Sequence, residues 1–200
     1  MRTSHILATA LAAALLAGCA PSRFGPVPAG VHTRAATAIP FFLDKGASEA
    51  LELGVRESFQ MWSDATAFKF TYGGLVAAKA ARDGKDEVVI MRRWPKELPI
   101  GDAAWCQAYL DSSGKIVEAD ILLNAQAFTF TSAREAKAGS LYIEDVLEKE
   151  IGRSLGLGLK TDSTVVDQYR PAQAGEAYEP GIDPADMAAY LSLYEAGKQK

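Results

Sequence analysis

The order of apolar and polar residues divides the chain into strand-like and helix-like stretches. Ile39-Pro40-Phe41-Phe42-Leu43 reads as a first strand. From Ala47 to Asp64, Leu51, Val55, Phe59 and Trp62 recur at spacings of four, four and three, which gathers them on one face of a helix. Phe68, Phe70 and Tyr72 alternate with Lys69 and Thr71, the pattern of a half-buried strand. Glu87 to Met91 and Trp105 to Leu110 are short strand candidates, and Ile116 to Asn124 resumes as a strand after the turn Asp111-Ser112-Ser113-Gly114. Leu141 to Leu155 is helical and is broken by Gly156 and Gly158. Asp162 to Pro180 carries few large apolar residues and reads as irregular. Asp183-Pro184 opens a last helix, with Asp at the N-cap, Pro in the first turn and an apolar stripe of Met187, Leu191 and Tyr194. The pattern is that of a mixed α/β domain.

Two hundred residues hold one such domain and a leader. With 48% hydrophobic and 23% charged residues the chain has enough apolar side chain for a real core. A net charge of −4 and the lack of any basic run exclude nucleic acid as an expected partner. At the N-terminus, Met1-Arg2 precede an apolar run from Ile6 to Leu16, too short to span a bilayer. The run ends in Leu16-Ala17-Gly18-Cys19, which resembles the lipobox of bacterial lipoproteins. That resemblance implies a signal peptide over 1–18, lipidation of Cys19, export, and a membrane anchor at the cell envelope. Residues 19–38 follow as a Pro- and Gly-rich tether, with the domain over 39–200. With Cys19 acylated, Cys106 has no intrachain partner and is expected to be a buried, inert thiol.

Glu148-Lys149-Glu150-Ile151-Gly152-Arg153-Ser154-Leu155-Gly156-Leu157-Gly158-Leu159 resembles the zinc helix of matrixins, in the metzincin clan of metallopeptidases, whose pattern is H-E-x-x-H-x-x-G-x-x-H. In that pattern two His at i and i+4 share a helix face and hold the metal, the Glu is the general base, and the Gly turns the chain toward a third His. Here Glu150 stands at the base and Gly156 at the turn, but Lys149, Arg153 and Leu159 occupy the ligand positions. Three further segments carry the resemblance: Phe59 to Thr66 (FQMWSDAT), Asp111 to Ile121, and Asp186 to Tyr194. It covers about residues 39–195. It implies an α+β fold of the zincin type: a twisted, mostly parallel sheet with an antiparallel edge strand, and long helices. It also implies a peptide-binding edge at Trp105, Cys106, Gln107, Ala108, Tyr109 and Leu110, and puts the family's methionine turn near Asp167.

The histidines decide what chemistry such a fold could retain. The chain has two, His5 in the leader and His32 in the tether, so the domain cannot supply three His ligands. Lys149 and Arg153 on the metal-facing side would repel a dication by about 4 kcal/mol per close pair. Carboxylates such as Glu150 and Asp167 would suit a hard ion like calcium rather than catalytic zinc. No cofactor is therefore expected, and Glu150 becomes a vestigial base. A salt-bridge cluster then takes the place of the metal, with Arg153 expected to pair with Asp167 or Glu150. The leading expectation is a pseudoprotease that binds a peptide or protein, or acts as a scaffold. An active metalloendopeptidase-family hydrolase with an atypical site around Glu150, and a structural envelope protein with a closed cleft, are the alternatives.

Overall fold

The computed structural model describes residues 24, 25, 27, 30–158, 169, 171–173 and 176–195. Strand β1 (Ala38–Asp44) buries Ile39, Phe41 and Leu43, every second residue. Helix α1 (Glu49–Ala65) begins at Ser48, whose hydroxyl oxygen accepts the Leu51 N–H at 3.3 Å. Glu49 and Glu52 lie in its first turn, where the helix dipole favours anions. Strands β2 (Lys69–Val76), β3 (Asp86–Ile90), β4 (Ala104–Leu110) and β5 (Ile116–Leu123) join β1 in one sheet ordered β2-β1-β3-β5-β4. All neighbours are parallel except β4, which is antiparallel to β5 and ends the sheet. Two short strands, β6 (Phe130–Thr131) and β7 (Leu141–Tyr142), pair in parallel and lead into helix α2 (Ile143–Ser154). Helix α3 (Pro184–Tyr194) is capped by the Asp183 carboxylate, which accepts the Ala185 N–H at 2.7 Å.

One face of the sheet carries α1 and α2. Phe41, Phe59, Trp62, Val88, Ile121, Leu123, Leu147 and Ile151 form its core, with the Phe41 and Phe59 rings stacked 3.8 Å apart. Each such side chain contributes about 1.5–3 kcal/mol by leaving water. The helices approach closely because Gly54 faces α2: a Cβ there would lie 2.6 Å from Ile143 Cγ2. Trp62 Nε1 locks the pair by donating to the Glu148 carbonyl at 3.1 Å. Ser63 and Thr66 carry the chain from α1 into β2, their hydroxyl oxygens accepting the Phe70 and Phe68 N–H at 3.0 and 3.2 Å. On the other face, Val89, Trp105 and Leu122 are covered by Phe24, Ala80, Trp94 and Leu98.

Four differences from the sequence reading have physical causes. The segment from Leu141 starts as strand, because Leu141 and Tyr142 pair with β6 before the helix begins at Ile143. The two-residue β6 is too short to show a periodicity. In α3 the fully buried side chain is Tyr190, while Leu191 is 45% exposed, so the inward stripe runs through Met187, Tyr190 and Tyr194. Finally, the described residues between 24 and 37 are docked rather than loose: Phe24, Val27, His32 and Arg34 are all buried. Their Gly/Pro-rich setting reads as a linker, yet these four side chains pack on the domain, while Val31 is 82% exposed.

Candidate functional site

The ligand-bearing face expected of α2 is filled by ion pairs. Glu150 is fully buried, and Arg153 Nη1 donates to its Oε1 one turn along the helix. The i,i+3 spacing puts both side chains on one face. A carboxylate at zero exposure needs such a partner, since leaving it alone costs several kcal/mol. Lys149 turns instead toward the start of α3. Its Nζ lies 2.7 Å from Asp186, 3.2 Å from Glu148 and 3.8 Å from Asp183, where it ties the two helices together. Burial pushes the Glu148 carboxyl up to about 7 even though its Oε1 accepts the Asp183 N–H at 3.0 Å. Leu159 and Asp167 lie outside the described residues, so the expected Arg153–Asp167 pair does too; the Glu150 pair is formed.

Below that face the end of α2 rests on the N-terminal arm. Gly156 follows the helix with φ +96°, and a Cβ there would come within 2.0 Å of the His32 carbonyl oxygen. Only glycine meets both conditions. Arg34, with a 3% exposed side chain, pairs with Asp86 and donates through Nη1 to the Ser154 carbonyl at 3.4 Å. The Tyr194 hydroxyl donates to the Leu155 carbonyl and accepts the Arg34 N–H at 2.7 Å. Arg34 and Tyr194 thus satisfy carbonyls that have no partner within a helix end. Burial raises the Asp86 carboxyl, and Arg34 works against that rise. No spacing in the sequence marks Arg34 or Asp86, whose partners are far along the chain.

Strand β4 holds the expected peptide-binding edge. Trp105, Cys106, Gln107 and Ala108 are buried, and Tyr109 and Leu110 are half-buried. Successive strand residues point to opposite faces. Phe24 shares a cluster with Trp105, whereas Val27 shares one with Cys106, Ala108 and Ile116. Between them the Gly25 N–H donates to Gln107 Oε1 at 3.3 Å. The arm therefore passes around the free edge of β4 from one face of the sheet to the other. Cys106 is a free thiol, pushed well up by burial; Glu150 adds to the shift, and Arg153 and Arg34 oppose it. A thiol held neutral in this way is a poor nucleophile.

A second buried group of carboxylates holds the loop between β2 and β3. Glu118 accepts the Asp83 and Gly84 N–H groups at 2.9 and 2.7 Å, and Asp120 accepts those of Ala81 and Glu87 at 3.0 and 3.2 Å. Desolvation raises the Asp120 carboxyl to about 8. The alternation Glu118-Ala119-Asp120 is the signal that could have found this pair, since it sets two acids on one face of a strand.

Compared with known proteins, the chain matches no family model and no curated sequence. The chemistry of α2 must be read from its own side chains. An ammonium engaged by Asp186 and a guanidinium engaged by Glu150 do not fit a zinc ion.

Proposed function

We propose that this chain is an envelope lipoprotein, held to a membrane through Cys19, on a matrixin-like framework whose proteolytic centre has become a structural ion pair. It acts by binding or scaffolding rather than by hydrolysis. The observation that carries this reading is the buried Glu150–Arg153 pair. A general base must reach a water or substrate proton and be free to accept it. Glu150 has no exposed surface and its carboxylate is engaged by a guanidinium, so it is not free to reach a water or substrate. A hydrolase built around Glu150 would first have to expose it. The matrixin-like framework is supported by four sequence segments in order and by an antiparallel edge strand beside α2.

For a peptide to pair with β4, Phe24 and Val27 must leave their places beside Trp105 and Cys106. Binding at that edge is thus coupled to release of the arm. The deciding experiment is elemental analysis of the purified mature protein together with hydrolysis of a mixed peptide library. The expected result is neither stoichiometric zinc nor turnover. One zinc per chain, or turnover abolished in Glu150→Gln, would overturn the proposal. In cells, Cys19→Ser should move the protein out of the membrane fraction, and its persistence there after a salt wash would remove the anchor.

A further inference from the structure

We infer that the loop 91–101 between β3 and β4 is a membrane-contact surface, with Arg92, Arg93, Lys96 and Ile100 lying against anionic phospholipid headgroups. This rests on the Cys19 anchor proposed above.

The loop has two sides. Its inner side is fixed: Trp94 and Leu98 are buried, the Trp94 N–H donates to Gln126 Oε1 at 2.7 Å, and Trp94 Nε1 donates to the Pro99 carbonyl at 3.0 Å. Asn124 Nδ2 donates to the Ile100 and Asp102 carbonyls at 3.0 and 2.9 Å. The outer side presents Arg92, Arg93 and Lys96, all exposed, and Ile100, 57% exposed. Glu97, also exposed, is the one acid among residues 91–101, so this stretch is basic in a chain of net charge −4. Among the described residues no acid lies within ion-pair distance of the three cations. An apolar side chain set among unpaired cations on a rigid loop is what an anionic bilayer surface holds best.

Position turns this chemistry into an assignment. Phe24, the first described residue, is buried in one cluster with Trp94 and Leu98 of this loop. Phe24 is five residues beyond Cys19, and five extended residues span at most about 17 Å. Arg23 adds a further positive charge within that link. A lipidated Cys19 therefore brings the loop to within one or two Debye lengths of the headgroups, where each Lys or Arg strengthens association about fivefold. An acidic protein could match the charges, but only the bilayer is brought there by the anchor.

The test uses mature lipidated protein carrying Ile100→Cys, labelled with an environment-sensitive fluorophore; Cys106 is buried and Cys19 acylated. It is reconstituted into vesicles of phosphatidylcholine, with or without phosphatidylglycerol, containing headgroup-proximal nitroxide lipid. We expect flotation with both, and quenching that is strong in anionic vesicles and largely lost in neutral ones, in high salt, and in a variant that also carries Arg92→Glu, Arg93→Glu and Lys96→Glu. Far-UV circular dichroism checks that this variant is folded. Flotation with no quenching, or quenching that charge reversal leaves unchanged, overturns the surface while the anchor stands. Failure to float with neutral vesicles overturns the anchor, and the surface falls with it.

Discussion

Glu150 on α2 and Asp120 on β5 are both carboxylates with no exposed surface, yet they are stabilised in opposite ways. Glu150 is met by a guanidinium. Asp120 is met by neutral dipoles, the N–H groups of Ala81 and Glu87 and the Tyr109 hydroxyl, while Glu118 and Glu87 add like charge. Burial is shared; the partner differs. At Asp120 the dipoles leave desolvation dominant and the carboxyl is held up at about 8. The buried helix carboxylate is thus held in a charge pair within its own helix. The strand carboxylate, like Glu148 on α2, is raised toward neutrality.

The largest expected effect breaks the first half of that contrast. Arg153→Met leaves Glu150 buried without its cation and should cost about 3–5 kcal/mol in denaturant unfolding. Arg153→Met combined with Glu150→Leu should recover most of it; additive costs would show that the two residues do not interact.

The second half is tested by pH. The folded Asp120 carboxyl, raised from 3.8 to about 8, keeps a proton that the unfolded chain releases. Its contribution is therefore complete below about pH 4 and is lost as pH rises toward 8, by about 2–3 kcal/mol between pH 5 and 7. Glu148, raised to about 7, acts in the same direction. Asp120→Asn should flatten the unfolding midpoint over this range, and an unchanged slope would separate Asp120 from the effect.

Gly156→Ala asks whether α2 depends on the arm beneath it. With φ +96° and the His32 oxygen 2.0 Å from the new Cβ, it should cost about 2–3 kcal/mol and expose residues 24–37 to protease. Lys149→Ala sharpens the contrast from the weak side. Its ammonium is about one-third exposed, so despite three acidic neighbours the loss should stay below about 1 kcal/mol.

Much of this architecture was legible because it is periodic. The three-to-four spacing of Val55, Phe59 and Trp62 and the alternation around Phe68 and Phe70 report which face is buried, and both lie in the core. The turn at Asp111–Gly114 was legible because an Asp side chain accepts the Ser113 and Lys115 N–H groups and Gly114 takes φ +81°. Glu150 is one of the two partners that the charge-cluster expectation offers Arg153, and the i,i+3 spacing brings that pair together. What stayed hidden depends on partners distant in sequence. Arg34 looks like one more linker cation until Asp86 and Ser154 surround it, and Glu118 looks like a surface acid until the Asp83–Gly84 backbone turns toward it. The stripe of Met187, Leu191 and Tyr194 points Leu191 inward, but ring size and a hydroxyl that accepts the Ala67 N–H at 2.9 Å put Tyr190 there instead.

The docked arm also bears on the order of folding. Its contacts close loops of great length: Arg34 meets Asp86, 52 residues on, then Ser154, 120 on, and Tyr194, 160 on. Such closures are slow, since loop entropy must be met before the contact returns anything. A segment that is made before the rest of the domain is therefore the last to be fixed. It stays undocked until α3 has been delivered and Tyr194 closes over the end of α2.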